Sequence, residues 1–94
     1  MRATELGELS AFVAIADAGS FRRAAARLNL KPSTLSHTLR MLEDRLGVQL
    51  LLRSTRRLSL TEAGQALLTD VRPALERIDD AVQRLNQYRE VPAG

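Results

Sequence analysis

The 94-residue sequence contains no cysteine and no tryptophan, a single histidine, and only 3% aromatic residues. Without cysteine there can be no disulfide scaffold, no thiolate zinc site and no cysteine nucleophile. One histidine, His37, excludes a multi-histidine metal centre. So few rings argue against the stacking platforms on which readers of RNA and single strands lay their bases. No apolar run approaches the roughly 20 residues that cross a bilayer. Met1-Arg2-Ala3-Thr4-Glu5 leads into an amphipathic segment rather than the apolar stretch of a signal peptide, so a cytoplasmic chain with no membrane partner is expected. Glycine-rich phosphate loops are missing, as are low-complexity tracts and internal repeats. The length allows one small domain with room for an appended element.

Lysine is almost missing too: thirteen of the 14 basic residues are arginine. Their placement is more informative than the net charge of +3. Between Ser20 and Arg57 nine basic residues face two acids, Glu43 and Asp44, for a net of +7. The remainder, with five basic and nine acidic residues, nets −4. A basic segment between acidic ones suits a polyanion-binding face, and the arginine fork suits phosphates and groove edges. The alternative is an ordinary solvated surface.

Hydrophobic spacing divides the chain. Thr4 can cap a first helix whose apolar stripe is Leu6, Leu9, Val13 and Ala16, with Phe12 beside it. Gly19 ends it and Ser20 caps a second, short helix over about 21–28, with Phe21, Ala24, Ala25 and Leu28 toward the core. Asn29 suits a left-handed helix end, and Pro32 is tolerated in the first turn of a third helix that runs to Leu46 and closes at Gly47. Leu35, Leu39, Leu42 and Leu46 form its buried stripe. At about 100° per residue the opposite side carries Ser33, His37, Arg40 and Asp44, flanked by Thr34 and Ser36. Two short helices across a tight turn, the second with a polar outer face, read as a helix-turn-helix. A plain three-helix bundle is the alternative.

Leu50-Leu51-Leu52-Arg53 and Arg57-Leu58-Ser59-Leu60 then read as two strands around a turn at Ser54-Thr55-Arg56, a wing with Arg53, Arg56 and Arg57 at its tip. Thr61 caps a long helix. In it Leu67, Val71, Ala74, Ile78, Ala81, Leu85 and Tyr88 step by fours and threes over three heptads. Such a seam calls for a partner helix, most simply from a second copy of the chain; folding back on its own domain is the alternative. Pro73 removes the bond to the Thr69 carbonyl, and a kink with continuation is expected.

The ordered set Leu9 and Phe12; Gly19-Ser20-Phe21 with Ala24-Ala25 and Leu28; Leu35-Ser36, Leu39-Arg40, Leu42-Glu43 and Leu46-Gly47; then Leu50-Leu51, Arg53, Arg56 and Leu60-Thr61-Glu62-Ala63-Gly64 resembles the N-terminal domain of LysR-type transcriptional regulators. The resemblance implies a mainly α fold: a winged helix-turn-helix over 1–61 (motif about 21–40, wing about 50–60), a linker and dimerisation helix over 62–90, and at 91–94 the start of a hinge to an absent effector-binding domain. Many members carry Phe where this chain has Leu51, a change of core packing alone. Many carry a polar residue at Leu52, where the apolar one is expected to lie under the linker helix. At Pro32 members often carry a base-reading Gln, so base contacts here pass to its neighbours.

The expected function is sequence-specific binding of double-stranded promoter DNA by a homodimer on a pseudo-palindromic site. A tetramer is expected for the full-length protein, and RNA polymerase is a further candidate partner. Ser20, Arg22 and Lys31 are assigned to phosphates. Pro32 lies at the start of the helix that enters the major groove, and Ser33, Thr34, Ser36, His37 and Arg40 read bases. Arg53, Arg56 and Arg57 belong to the wing, with Arg56 the candidate for a narrow minor groove. Ser36, beside the core stripe, could instead bond a backbone carbonyl. No cofactor or metal is expected in this chain; a small-molecule effector belongs to the absent C-terminal domain. Catalysis is not expected, because His37 has no nucleophile to meet and the adjacent acids Glu43-Asp44 and Asp79-Asp80 point to different helix faces. A winged-helix module that binds protein rather than DNA is the remaining alternative.

Overall fold

The computed structural model describes residues 3–53 and 58–89. The expected wing turn with Arg56 and Arg57, and the expected hinge at 91–94, lie outside the described residues. The order is α1 (Ala3–Ala18), α2 (Phe21–Leu28), α3 (Pro32–Leu46), β1 (Leu51–Arg53), β2 (Leu58–Leu60) and α4 (Glu62–Arg84), followed by a 3₁₀ turn, Leu85–Tyr88. This is the mainly helical winged helix-turn-helix that the spacing predicts.

α1 lies at the centre, touching α2, α3 and α4. That place corrects its expected stripe. Phe12 and Ile15 are fully buried with Ala11 and Ala18, while Leu9, Ala14 and Ala16 pack around them. A helix enclosed from several sides uses apolar residues on most of its circumference, so no single stripe describes it. Gly19, at φ 76°, donates to the Ile15 carbonyl at 2.9 Å and turns the chain into α2.

Ala24 and Ala25 are buried at 0% and 1%, and their small side chains let the neighbouring helices approach. Leu28, expected in the core, is 39% exposed. It is the last residue of a two-turn helix, just before the left-handed Asn29 (φ 57°), whose N–H returns to the Ala25 and Ala26 carbonyls. α3 buries Leu35, Leu39 and Leu42 as expected, but not Leu46, which is 47% exposed. Leu46 closes the helix, and Gly47 (φ 70°) reverses the chain beside it.

β1 and β2 pair antiparallel, Leu51 with Leu60, Leu52 with Ser59 and Arg53 with Leu58. The first expected strand begins one residue earlier, at Leu50, and the expected start of the second, Arg57, lies outside the described residues. Leu50 is excluded from the ladder because its N–H goes to the Glu43 carboxylate and its carbonyl accepts from Thr61 N–H. Strand alternation corrects Leu52: Leu51 is buried at 1%, so Leu52 points outward at 49% exposure and does not lie under α4.

Thr61 caps α4, its hydroxyl oxygen accepting from Gly64 N–H at 2.9 Å. The helix passes through Pro73 without interruption, and beyond Arg84 it tightens into the 3₁₀ turn. It packs on the domain through Leu67, Leu68 and Val71 of its first half and Leu75 just past its midpoint. Its far half extends away, giving the molecule extents of 51 × 25 × 20 Å.

Candidate nucleic-acid interface

The polar face of α3 is set by what lies behind it. Leu35 and Leu39 are fully buried and Leu42 nearly so, which fixes the rotation of the helix. Pro32, Ser33, Thr34, His37 and Arg40 consequently stand exposed, and Ser36 is half-buried between the two faces. Lys31 occupies the N-cap without a side-chain bond to the helix, and Pro32 opens the first turn. The backbone-bonding alternative for Ser36 is realised instead at Thr38, whose hydroxyl donates to the Thr34 carbonyl at 3.0 Å. The four front-half polar side chains and Lys31 thus share one open surface of neutral hydrogen-bonders and cations.

α2 contributes from the side. Ser20 has extended backbone (φ −160°, ψ 152°), and its hydroxyl oxygen accepts from Arg23 N–H at 3.0 Å. A serine hydroxyl also carries a donor, so capping leaves Ser20 an O–H for a phosphate oxygen. Arg22 is exposed beside it. Arg53 ends β1 opposite Leu58.

One arginine of the basic segment, though exposed, is tied to an acid of α1. Arg45 forms a two-point pair with Glu8 of α1, Nη1 to Oε1 and Nη2 to Oε2, the latter at 3.0 Å. That bond to Glu8 holds the Arg45 guanidinium protonated more firmly than usual. Arg72 of α4 pairs likewise with Asp17 of α1. Among the described residues, Arg22, Arg23, Arg27, Lys31 and Arg40 make no ion pair.

Sequence reasoning missed the role of Glu43. Its Oε2 accepts from the N–H groups of Leu50 (2.8 Å) and Leu51 (3.1 Å). A signal existed: an acid in the last turns of a helix opposes the helix dipole, so it needs a nearby donor. Gly64 was missed as well. Its missing side chain admits the Leu50 carbonyl, which would lie 2.1 Å from any Cβ. Glycine in the first turn of a helix is the matching signal, since it is unfavourable there without a packing reason.

The seam of α4 divides between two roles. Leu67 and Val71 are half-buried against the domain's own core. Ala74 and Ala81 are exposed, and Ile78, Leu85 and Tyr88 are open at 48%, 60% and 75%. The folding-back alternative therefore holds for the first half of the helix only. Leu85 and Tyr88, three apart, share one side of the 3₁₀ turn. Among the described residues there is no group of three or more potential metal ligands, and no helix long and apolar enough to cross a membrane.

Comparison with known proteins gives a consistent neighbourhood. Residues 6–65 match the model of the bacterial regulatory helix-turn-helix proteins, lysR family. The HTH-type transcriptional regulator PgrR of Escherichia coli K12 is 45% identical over 94 residues, all of this chain and 31% of the relative. PtxR of Pseudomonas aeruginosa is 43% identical over 95% of this chain and 28% of its own length. The chain thus spans about a third of the length of these curated relatives. Among solved structures, the BenM DBD/catB site 1 DNA complex is similar at TM-score 0.82 and 30% identity, covering 97% of this chain and 98% of that one. Full-length AphB, the Vibrio cholerae virulence activator, is similar at TM-score 0.82 and 30% identity, over 90% of this chain and 28% of that one.

Proposed function

The chain belongs to the lysR family of bacterial regulatory helix-turn-helix proteins, and from that premise we propose that it is the promoter-reading domain of a transcriptional regulator. It binds double-stranded DNA in a sequence-specific manner, with α3 in the major groove. The observation that carries this reading is the exposed set Ser33, Thr34, His37 and Arg40, backed by buried Leu35 and Leu39 and bordered by cations that make no ion pair among the described residues. Side chains of these types match the donor and acceptor pattern of base edges, and the cations match phosphates. A BenM DNA-binding domain of almost the same extent has been solved with DNA, which supports the same use here.

Ser20, Arg22 and Lys31 then hold phosphates, and the wing, with Arg53, Arg56 and Arg57, lies at the minor groove. Two copies pair through the far half of α4, around Ile78, Ala81, Leu85 and Tyr88, and read a pseudo-palindromic site in the cytoplasm. A small-molecule effector acts on a further domain outside this chain. Selection from a pool of randomised duplexes tests the reading. Enrichment of a two-fold symmetric sequence, with affinity falling steeply as salt rises, is expected. Failure to enrich any sequence would overturn it and favour a winged-helix module that binds protein.

A further inference from the structure

The connector from α3 to β1 leaves α3 at Gly47, and one residue of the helix receives most of its donors. The Glu43 carbonyl accepts from Gly47 N–H at 2.8 Å and Val48 N–H at 3.2 Å. The Glu43 carboxylate accepts from Leu50 N–H at 2.8 Å and Leu51 N–H at 3.1 Å. The same segment is gripped from the other side. Thr61 N–H donates to the Leu50 carbonyl at 3.0 Å, and the Thr61 hydroxyl donates to the Gln49 carbonyl at 2.6 Å. The base of the wing is therefore clamped between the recognition helix and the start of α4.

The clamp answers a mechanical need. Two three-residue strands form a ribbon too small to hold its own orientation in water. An acid at this place is otherwise unfavourable on two counts: it opposes the dipole at the end of α3, and it adds negative charge to a DNA-binding helix. Asp44, next to it and exposed, shares both penalties without those amide bonds.

We propose that Glu43 is a positioning residue for DNA binding: by holding the Leu50 and Leu51 amides, its carboxylate fixes the wing to the recognition helix so that both meet one duplex in register. This rests on the DNA-binding reading above. Electrostatics alone predicts the opposite sign, because removing an acid from a DNA-binding surface strengthens binding. The test compares Glu43→Ala, Glu43→Gln and Asp44→Ala in the 94-residue chain. The probe is the duplex that the wild-type chain enriches from a randomised pool, and affinity is expressed per folded molecule from the melting curve. Asp44→Ala should bind as tightly as wild type or more tightly. Glu43→Ala should bind about tenfold more weakly than Asp44→Ala, the size of coupling within a shared hydrogen-bond network. Glu43→Gln, whose amide oxygen can accept the same two bonds, should recover most of that loss. Hydrogen exchange at the Leu50 and Leu51 amides should accelerate in Glu43→Ala and stay slow in Glu43→Gln. If Glu43→Ala unfolds, Glu43→Asp, too short to reach both amides, replaces it under the same criterion. Equal affinity of the Glu43→Ala and Asp44→Ala chains, each corrected for folding, would overturn the inference and leave the DNA-binding reading intact. A wild-type chain that enriches no duplex would overturn both.

Discussion

Replacing Gly64 by alanine should be strongly destabilising although it adds one methyl group to a helix. A Cβ at this position would lie 2.1 Å from the Leu50 carbonyl oxygen and 3.0 Å from its carbon. Both are backbone atoms, so no side chain can rotate away. Relief requires the start of α4 to separate from the connector by more than about 1 Å, the shortfall from ordinary contact distance. Overpacking of this kind costs about 1–3 kcal/mol. The same movement stretches the bonds from Thr61 N–H to Leu50 and from the Thr61 hydroxyl to Gln49, at about 1 kcal/mol each. Alanine returns about 1 kcal/mol of helix propensity. A net loss of about 2–4 kcal/mol remains, and for a domain of this size it lowers the Tm by roughly 10–30 °C. Gly7→Ala is the matched control: Gly7 lies within α1, exposed, with nothing within 4 Å of a Cβ. There only the propensity gain operates, and the Tm should rise by a few degrees. Thermal and urea melts of the two variants should therefore move in opposite directions. A Gly64→Ala chain as stable as wild type would refute the close contact between α4 and Leu50.

Three further outcomes concern the interface. His37→Ala should alter the preferred base at one position per half-site, a discrimination worth roughly 1–3 kcal/mol, while non-specific binding stays near wild type; an unchanged selected sequence would mean that His37 reads no base. Arg56→Ala should weaken binding to all duplexes together and flatten the slope of log affinity against log salt by about one unit for each phosphate that the arginine had neutralised; an unchanged slope would remove Arg56 from the mechanism. Ile78, 48% exposed in one chain, should tolerate aspartate without loss of monomer stability, yet Ile78→Asp should shift the sedimentation of the chain from dimer to monomer, and identical sedimentation of the two would exclude the helix-pairing proposal.

The elements are legible in the sequence because each has a local cause. Ser20, Asn29, Gly47 and Thr61 mark helix ends through capping chemistry that depends on nearest neighbours alone, and all four mark the boundaries as expected. The polar face of α3 is legible for the same reason: its rotation follows from Leu35, Leu39 and Leu42 at helical spacing. What is not legible depends on distant packing. Leu28 and Leu46 fit the helical period but lie at helix ends that no neighbour covers. Leu52 can be placed only once the ladder register fixes which of three consecutive leucines faces outward. Heptad spacing in α4 gives one continuous seam, but it cannot tell that Leu67 and Val71 meet the chain's own core and Ile78 does not. Glu43 reads as an acid at the rear of the recognition helix because its partners, Leu50 and Leu51, come into reach only after Gly47 reverses the chain.

The charge of the domain shows the same division between count and placement. The sequence puts nine basic residues between Ser20 and Arg57, which suggests a single patch. The fold sorts them. α1 supplies Glu8 and Asp17, one on its first half and one near its end; Glu8 holds Arg45 of α3, one of the nine, and Asp17 holds Arg72 of α4, which lies outside that segment. Each pair is an exposed contact of small energetic value. Their effect on the field is larger than their effect on stability. A guanidinium paired with a carboxylate presents little net charge beyond a Debye length, about 10 Å at moderate salt, whereas Arg22, Arg23, Arg27, Lys31 and Arg40 keep theirs. Glu43, the one acid of α3 turned to the connector, has its carboxylate aimed at backbone amides rather than at the outer face. The helix at the centre of the core thus also confines the positive field, tying back one arginine on α3 and one on α4 while the front of α3 and the start of α2 remain cationic. On the DNA-binding reading proposed above, long-range attraction of a polyanion and short-range reading of its bases fall to the exposed residues that this packing leaves on α2 and α3.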